Sequence, residues 1–201
     1  MKPINIHDQT ACALNIQINE CTVCASHLPL APKPIIQLNE SAHILIIGQA
    51  PGIKAHESGQ AWNDASGKRL REWLHMSEAE FYNPENIAIM PMGFCYPGKG
   101  KSGDLPPRKE CAATWHELVL RSLPNIKLTL LIGQYAQLHY LKHTEFARSY
   151  KTLTEKVRHT QQAPKGIICL PHPSPRNQIW LKKHPWFTDD ILPYLHTQLE
   201  K

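Results

Sequence analysis

No stretch of about 18 or more apolar residues, the length a membrane-spanning helix needs, occurs in the chain. Met1 to Asn19 also lacks a basic region followed by an apolar run, the pattern of a secretory leader. A soluble, cytoplasmic protein with no membrane partner is therefore expected. Internal repeats, linkers and long disordered tails are missing too, so residues 1–201 are read as a single domain, monomeric by expectation. Charged residues make up only 19% of the chain against 42% hydrophobic, which is enough apolar material for a buried core. The net charge of +5 permits a polyanionic partner without demanding one. With no export signal, the six cysteines read as thiols or metal ligands in preference to disulfides.

What is present alternates. His43-Ile-Leu-Ile-Ile47 is short, β-branched and apolar throughout, as a strand buried on both faces of a parallel sheet would be. Asn86 to Met90, Leu128 to Ile132 and Gly166 to Leu170 repeat the pattern. Between them, apolar residues recur at helical spacing over Ser66–Leu74, Arg108–Leu123 and Gln134–Leu141. Prolines at 29, 32 and 34 suggest an extended segment wrapping the surface. The expected fold is a three-layer α/β/α sandwich around a central, mainly parallel four-stranded sheet. In such sheets ligands bind beyond the carboxyl ends of the strands.

Two loops fall at such ends. Gly48-Gln-Ala-Pro-Gly52 sets small and rigid residues after the first strand, which suits either a tight turn or the close approach of a flat ligand. His172-Pro-Ser-Pro-Arg-Asn177 follows the last strand, and its prolines stiffen a loop bearing an imidazole, a hydroxyl, a guanidinium and an amide. A purely structural loop rarely needs so many fixed polar groups. The cysteines add a third pattern: Cys21-Thr-Val-Cys24 is one pair, Cys95 and Cys111 another, and Cys12 and Cys169 stand outside it. Four thiolates suit zinc or a 4Fe-4S cluster, and four unliganded core thiols would show the same spacing.

Taken together, the loops resemble the two motifs of the uracil-DNA glycosylase superfamily. The second resembles the His-Pro-Ser-Pro-Arg-Asn motif of its single-strand-selective monofunctional branch. The first resembles the Gly-Glu-Ala-Pro-Gly motif of the thermophile-type, iron–sulfur branch (family 4), with Gln49 in the glutamate's place. Ser58-Gly-Gln-Ala-Trp62 and Ser66-Gly67 track the same branch, and the similarity extends from about Cys21 to Pro193. The resemblance implies a DNA glycosylase of base-excision repair, an enzyme that hydrolyses the N-glycosidic bond of uracil or another deaminated or damaged base. DNA carrying such a base would be its partner.

By the same resemblance His172 would donate a hydrogen bond to the departing base, and Gln49 would position water. Gly48, Ala50, Pro51 and Gly52 would wall the base pocket, Trp62 would stack on the base, and Ser174, Arg176 and Asn177 would hold DNA. Cys21, Cys24, Cys95 and Cys111 would carry a 4Fe-4S cluster, with zinc as the alternative. That cluster would pin the N-terminal segment and the Lys99-Gly-Lys-Ser-Gly103 loop, which is either a phosphate contact or a solvated turn.

The chain departs from the pattern twice. Neither Gln49 nor Ala50 can act as a general base, which leaves Glu57 and Asp64 downstream as candidate acids or as ordinary solvated carboxylates. Pro91 stands where the iron–sulfur branch has a uracil-reading asparagine, and proline offers only a carbonyl. The substrate is therefore left open beyond plain uracil. The alternative is a catalytically weak or inactive protein of this fold that binds damaged nucleic acid.

Overall fold

The computed structural model describes residues 10–101 and 103–200. Ser102, within the loop expected to meet phosphate, lies outside the described residues. Six strands occur among them: β1 (Ile44–Ile47), β2 (Ile87–Ile89), β3 (Lys99–Gly100), β4 (Gly103–Asp104), β5 (Leu128–Ile132) and β6 (Ile167–Leu170). Four form one parallel sheet in the order β2-β1-β5-β6, and β3 and β4 make a short antiparallel pair. Leu45, Ile46 and Ile47 are fully buried, so β1 meets apolar side chains on both faces, as its unbroken hydrophobic run requires.

The chain leaves β1 for β2 on one side and later crosses to β5 on the other. Right-handed crossovers running in opposite directions place their helices on opposite faces of the sheet. Such a reversal of strand order opens a crevice at the carboxyl ends. The extended segment expected from the prolines runs beside β2: Gln37 exchanges backbone hydrogen bonds with Ile89 (2.9 and 2.7 Å), and the Ile35 amide donates to the Phe94 carbonyl. This pairing covers what would otherwise be an open sheet edge. Across the sheet, the buried Gln137 amide donates to the carbonyls of Leu131 in β5 and Leu170 in β6.

The helices sit close to their expected places. Ala65–Leu74 begins one residue before Ser66 because the Asp64 carboxylate accepts from the Gly67 amide at 2.8 Å and caps it. Gln134–Leu141 matches its expected bounds. The stretch expected from Arg108 to Leu123 is helical over Lys109–Cys111, Ala112–His116 and Glu117–Arg121, and its middle segment is a π-helical turn. No helix among the described residues is long and apolar enough to cross a membrane.

Candidate active site

Beyond the carboxyl ends of β1, β2 and β6 lies a cavity of about 560 Å3. The whole of Gly48 to Gly52 lines it on one side, His172, Ser174, Arg176 and Asn177 line it on another, and Trp62 completes it. Both loops singled out in the sequence thus reach one cavity, although more than a hundred residues separate them. Pro91 contributes as well. Glu57, one of the two downstream acids, is exposed on the Ile53–Ser58 helix and is not part of the lining, whereas Asp64 is.

The first wall is shaped by missing side chains. A Cβ at Gly48 would stand 2.7 Å from Cζ2 of Trp62, so only glycine lets the indole lie on this loop. A Cβ at Gly67 would stand 1.6 Å from the Trp62 carbonyl oxygen, which no residue other than glycine allows. Trp62 itself has φ 57°, a left-handed backbone that costs a non-glycine residue about 1–3 kcal/mol. Its neighbours hold it there. Arg71 donates to the Trp62 carbonyl at 3.4 Å and to the Tyr82 hydroxyl at 3.3 Å, and that hydroxyl donates to the Ala61 carbonyl at 2.9 Å. Behind the loop, the amides of Met92 and Gly93 donate to the carbonyls of Gly48 and Gln49.

The second wall is fixed by polar contacts. The Asn177 side-chain amide donates to the His172 carbonyl at 2.7 Å. Ser174 Oγ accepts from the Arg176 amide and caps the short turn Pro175–Asn177. Arg69, which the sequence gave no reason to single out, reaches across from the Ala65–Leu74 helix. It donates to the Ser174 carbonyl at 3.1 Å and to Gln178 Oε1 at 3.0 Å. The imidazole of His172 meets the Trp62 indole at 5.6 Å between ring centroids, tilted by 37°. Burial pushes the His172 pKa below its ordinary value, and the charge of Asp64 opposes this only in part. The ring is therefore neutral at pH 7, a hydrogen-bond donor that brings no full charge of its own.

A buried polar chain ends at the pocket. His116 Nε2 lies 3.2 Å from the Pro91 carbonyl, which can only accept, so Nε2 carries the proton and Nδ1 accepts from the Tyr140 hydroxyl at 2.6 Å. Burial drives the His116 pKa down to about 4. The Pro91 carbonyl is thus already engaged by His116.

The four predicted ligand cysteines also converge. Cys24, Cys95 and Cys111 are buried and Cys21 is half-buried. Each of Cys95 and Cys111 feels the charge of Cys24 and Cys21, and Cys24 feels that of Cys21. Burial comes first, pushing Cys95 up to about 11 and Cys111 up to about 12. Two donors point at the sulfurs: the Trp115 indole N–H at Cys21 Sγ and the Phe94 amide at Cys111 Sγ, both at 3.4 Å. Among the described residues, no group of three or more His, Cys, Asp or Glu side chains is placed to hold a single metal ion. Cys12 is exposed, and Cys169 is buried in the core as part of β6.

A parallel sheet whose strand-end loops close a cavity on an aromatic ring and a neutral imidazole defines an α/β protein with its pocket at the carboxyl ends of the strands. The chain belongs to the Uracil DNA glycosylase superfamily, whose family model matches residues 35–196. Among solved structures it is similar to the solution NMR structure of a Methanosarcina acetivorans protein provisionally described as a uracil DNA glycosylase. The two are 14% identical, the match covers 83% of this chain and 96% of that one, and the TM-score is 0.46.

Proposed function

We propose that the protein is a DNA glycosylase of base-excision repair, which hydrolyses the N-glycosidic bond of uracil or another deaminated or damaged base. The observation that carries this reading is the meeting of His172, Trp62 and the Gly48–Gly52 loop around one cavity. A base in a duplex is reached only after the nucleotide turns out of the stack, and the freed base then needs a platform. Trp62 is that platform, and the glycines on either side of it make room. As the bond to C1′ breaks, the electron pair leaves with the base. The neutral His172 ring donates to the oxygen where that charge gathers, a preorganised contact worth about 2.7–4 kcal/mol.

Ser174, Arg176 and Asn177 hold the DNA backbone on the rim, and Arg69 keeps their loop in place. Gln49 holds water through its amide without deprotonating it. With the Pro91 carbonyl engaged by His116, the pocket has no side-chain amide at that position to read a pyrimidine edge in two places, which supports a substrate range wider than uracil.

The cysteine set supports assignment to the iron–sulfur branch. Four thiols from three segments, three buried and one half-buried, with N–H groups aimed at two of the sulfurs, support a 4Fe-4S cluster. Cys21, Cys24, Cys95 and Cys111 would hold it, and it would tie the N-terminal segment to the body of the fold. The freshly purified protein should be brown and contain iron and acid-labile sulfide. A colourless protein with stoichiometric zinc rejects the cluster.

The reading is tested by incubating the purified protein with single- and double-stranded oligonucleotides carrying uracil, hypoxanthine or xanthine. Base release with an alkali-labile abasic site is expected from at least one. The lack of any acid at Gln49 and Ala50 favours a second reading, a binder of damaged DNA without turnover. That reading predicts salt-dependent binding and no release from any substrate.

A further inference from the structure

A hydrolysis needs something to orient water and to take its proton, and the first loop has nothing for the second task. The cavity contains a carboxylate that no sequence motif marks. Asp104, the last residue of β4, lines the same cavity as His172 and Gln49. Its Oδ2 rests against the end of the first loop, 3.4 Å from where a Cβ at Gly52 would stand. A Cβ there would make only an ordinary van der Waals contact, so the carboxylate lies alongside the loop without depending on the glycine.

Four groups face this carboxylate. Arg176 and Lys99 lower its pKa and Asp64 raises it, while Tyr96 feels its charge. Although the residue is exposed, partial desolvation outweighs them and holds the Asp104 pKa above the usual carboxylate value. Asp104 is solvent-exposed where it lines the cavity, and no hydrogen bond to its carboxylate is formed among the described residues. Arg176 lies beside it, with Nη1 2.6 Å from a Cβ position at Gly103. A phosphate drawn to that guanidinium would bring a sugar close to Asp104.

We propose that Asp104 is the carboxylate that holds and deprotonates the attacking water, in place of the acid missing from the first loop. This rests on the glycosylase reading above. The C1′–N bond breaks with its electron pair passing to the base, which leaves as an anion hydrogen-bonded to His172. The water oxygen forms the new bond to C1′ and its proton passes to Asp104, then to solvent. The base takes a proton from solvent in turn. Asp64 is the rival within the cavity, but one of its oxygens is occupied by the Gly67 amide as a helix cap. Asp104 has no such duty.

The test compares Asp104→Asn with Asp64→Asn, both nearly isosteric, and asparagine caps a helix as well as aspartate does. Two quantities are measured: single-turnover release of whichever base the wild-type protein removes, and affinity for the same oligonucleotide carrying a tetrahydrofuran abasic analogue. Asp104→Asn should slow release by about 10²–10⁴-fold while binding the analogue at least as tightly as wild type. If Asp104→Asn keeps the wild-type rate while wild type releases base, Asp104 is overturned and the glycosylase reading stands. If binding weakens by the same factor as the rate, Asp104 acts only by supporting Arg176, and the proposal also fails. If wild type releases nothing from any substrate, the glycosylase reading falls and Asp104 falls with it.

Discussion

The two walls of the cavity are held by different forces. The His172 wall is locked by directed polar contacts: Asn177 on the His172 carbonyl, Arg69 on Ser174, and Ser174 on the Arg176 amide. The Trp62 wall is locked mainly by shape, because Gly48 and Gly67 leave out the atoms that would collide with the indole and its carbonyl. A polar lock loses one bond at a time and degrades gradually. A steric lock has no intermediate state, since a single added methyl group must displace backbone. The His172 wall is thus the one that tolerates change, and the Trp62 wall is the one that does not.

Among changes to the two walls, the largest effect should come at His172. On the proposed glycosylase reading, His172→Ala removes the donor to the departing base and should lower base release by about 10²–10³-fold, equivalent to 2.7–4 kcal/mol of transition-state stabilisation. Its urea midpoint should shift little, because the ring makes no hydrogen bond among the described residues. A large fall in stability would show that the imidazole is a structural part of its wall and not a reactive group set upon it. Gly67→Ala should do the reverse. With its Cβ 1.6 Å from the Trp62 carbonyl, the Ala65–Leu74 helix and the Trp62 turn must separate, at a cost of about 1–3 kcal/mol of stability. Urea unfolding measures it, and an unchanged midpoint would mean that the first wall can yield.

How much of this could be read from the sequence differs between the walls for the same physical reason. β5 and the Gln134–Leu141 helix fall on their expected bounds because Gly133, at φ 81°, separates a five-residue apolar run from a helical one. The loops themselves were legible, since glycine, proline and histidine at strand ends are local signals. Arg69 and Asp104 were not. Each lies in a stretch whose local pattern says only helix surface or polar turn, and each gains its role by meeting a segment distant in the chain, Ser174 for one and Gly52 for the other. The π-helical turn at Ala112–His116 was hidden too. It adds a residue to the turn without disturbing the apolar spacing of Cys111, Trp115 and Val119, and it is there that His116 turns toward Pro91.

Acid should separate the walls next. His116 lies behind the first wall, with its pKa depressed to about 4 against an ordinary value near 6.5 in the unfolded chain. Between these values the unfolded state holds a proton that the folded state does not. The His116 contribution is therefore complete above about pH 6.5 and declines until pH reaches about 4, amounting to roughly 2 kcal/mol lost by pH 5. The depressed pKa of His172 adds a loss of the same sign on the second wall. Urea titrations of wild type and His116→Gln at pH 7 and pH 5 isolate the first contribution. The variant should be less stable at pH 7 but lose less on acidification, and equal losses in both proteins would remove His116 from the account.

The smallest effect sharpens the comparison most. Arg69→Ala deletes two hydrogen bonds that join the helix bearing Trp62's glycine to the loop bearing His172, and it touches neither ring. Because Arg69 is only half-buried, water replaces much of what is lost, and stability should fall by about 0.5–1.5 kcal/mol. The informative quantity is the division between kcat and KM. Asn177 still holds the His172 carbonyl, so the donor keeps its place, while Ser174 and Arg176 lose their brace from the helix. On the proposed glycosylase reading, KM for the oligonucleotide substrate should rise while kcat changes little, because the contacts that weaken are those assigned to DNA and not those assigned to the departing base. If kcat falls instead with KM unchanged, the two walls are mechanically one unit, and His172 is positioned by the helix across the cavity as much as by its own loop.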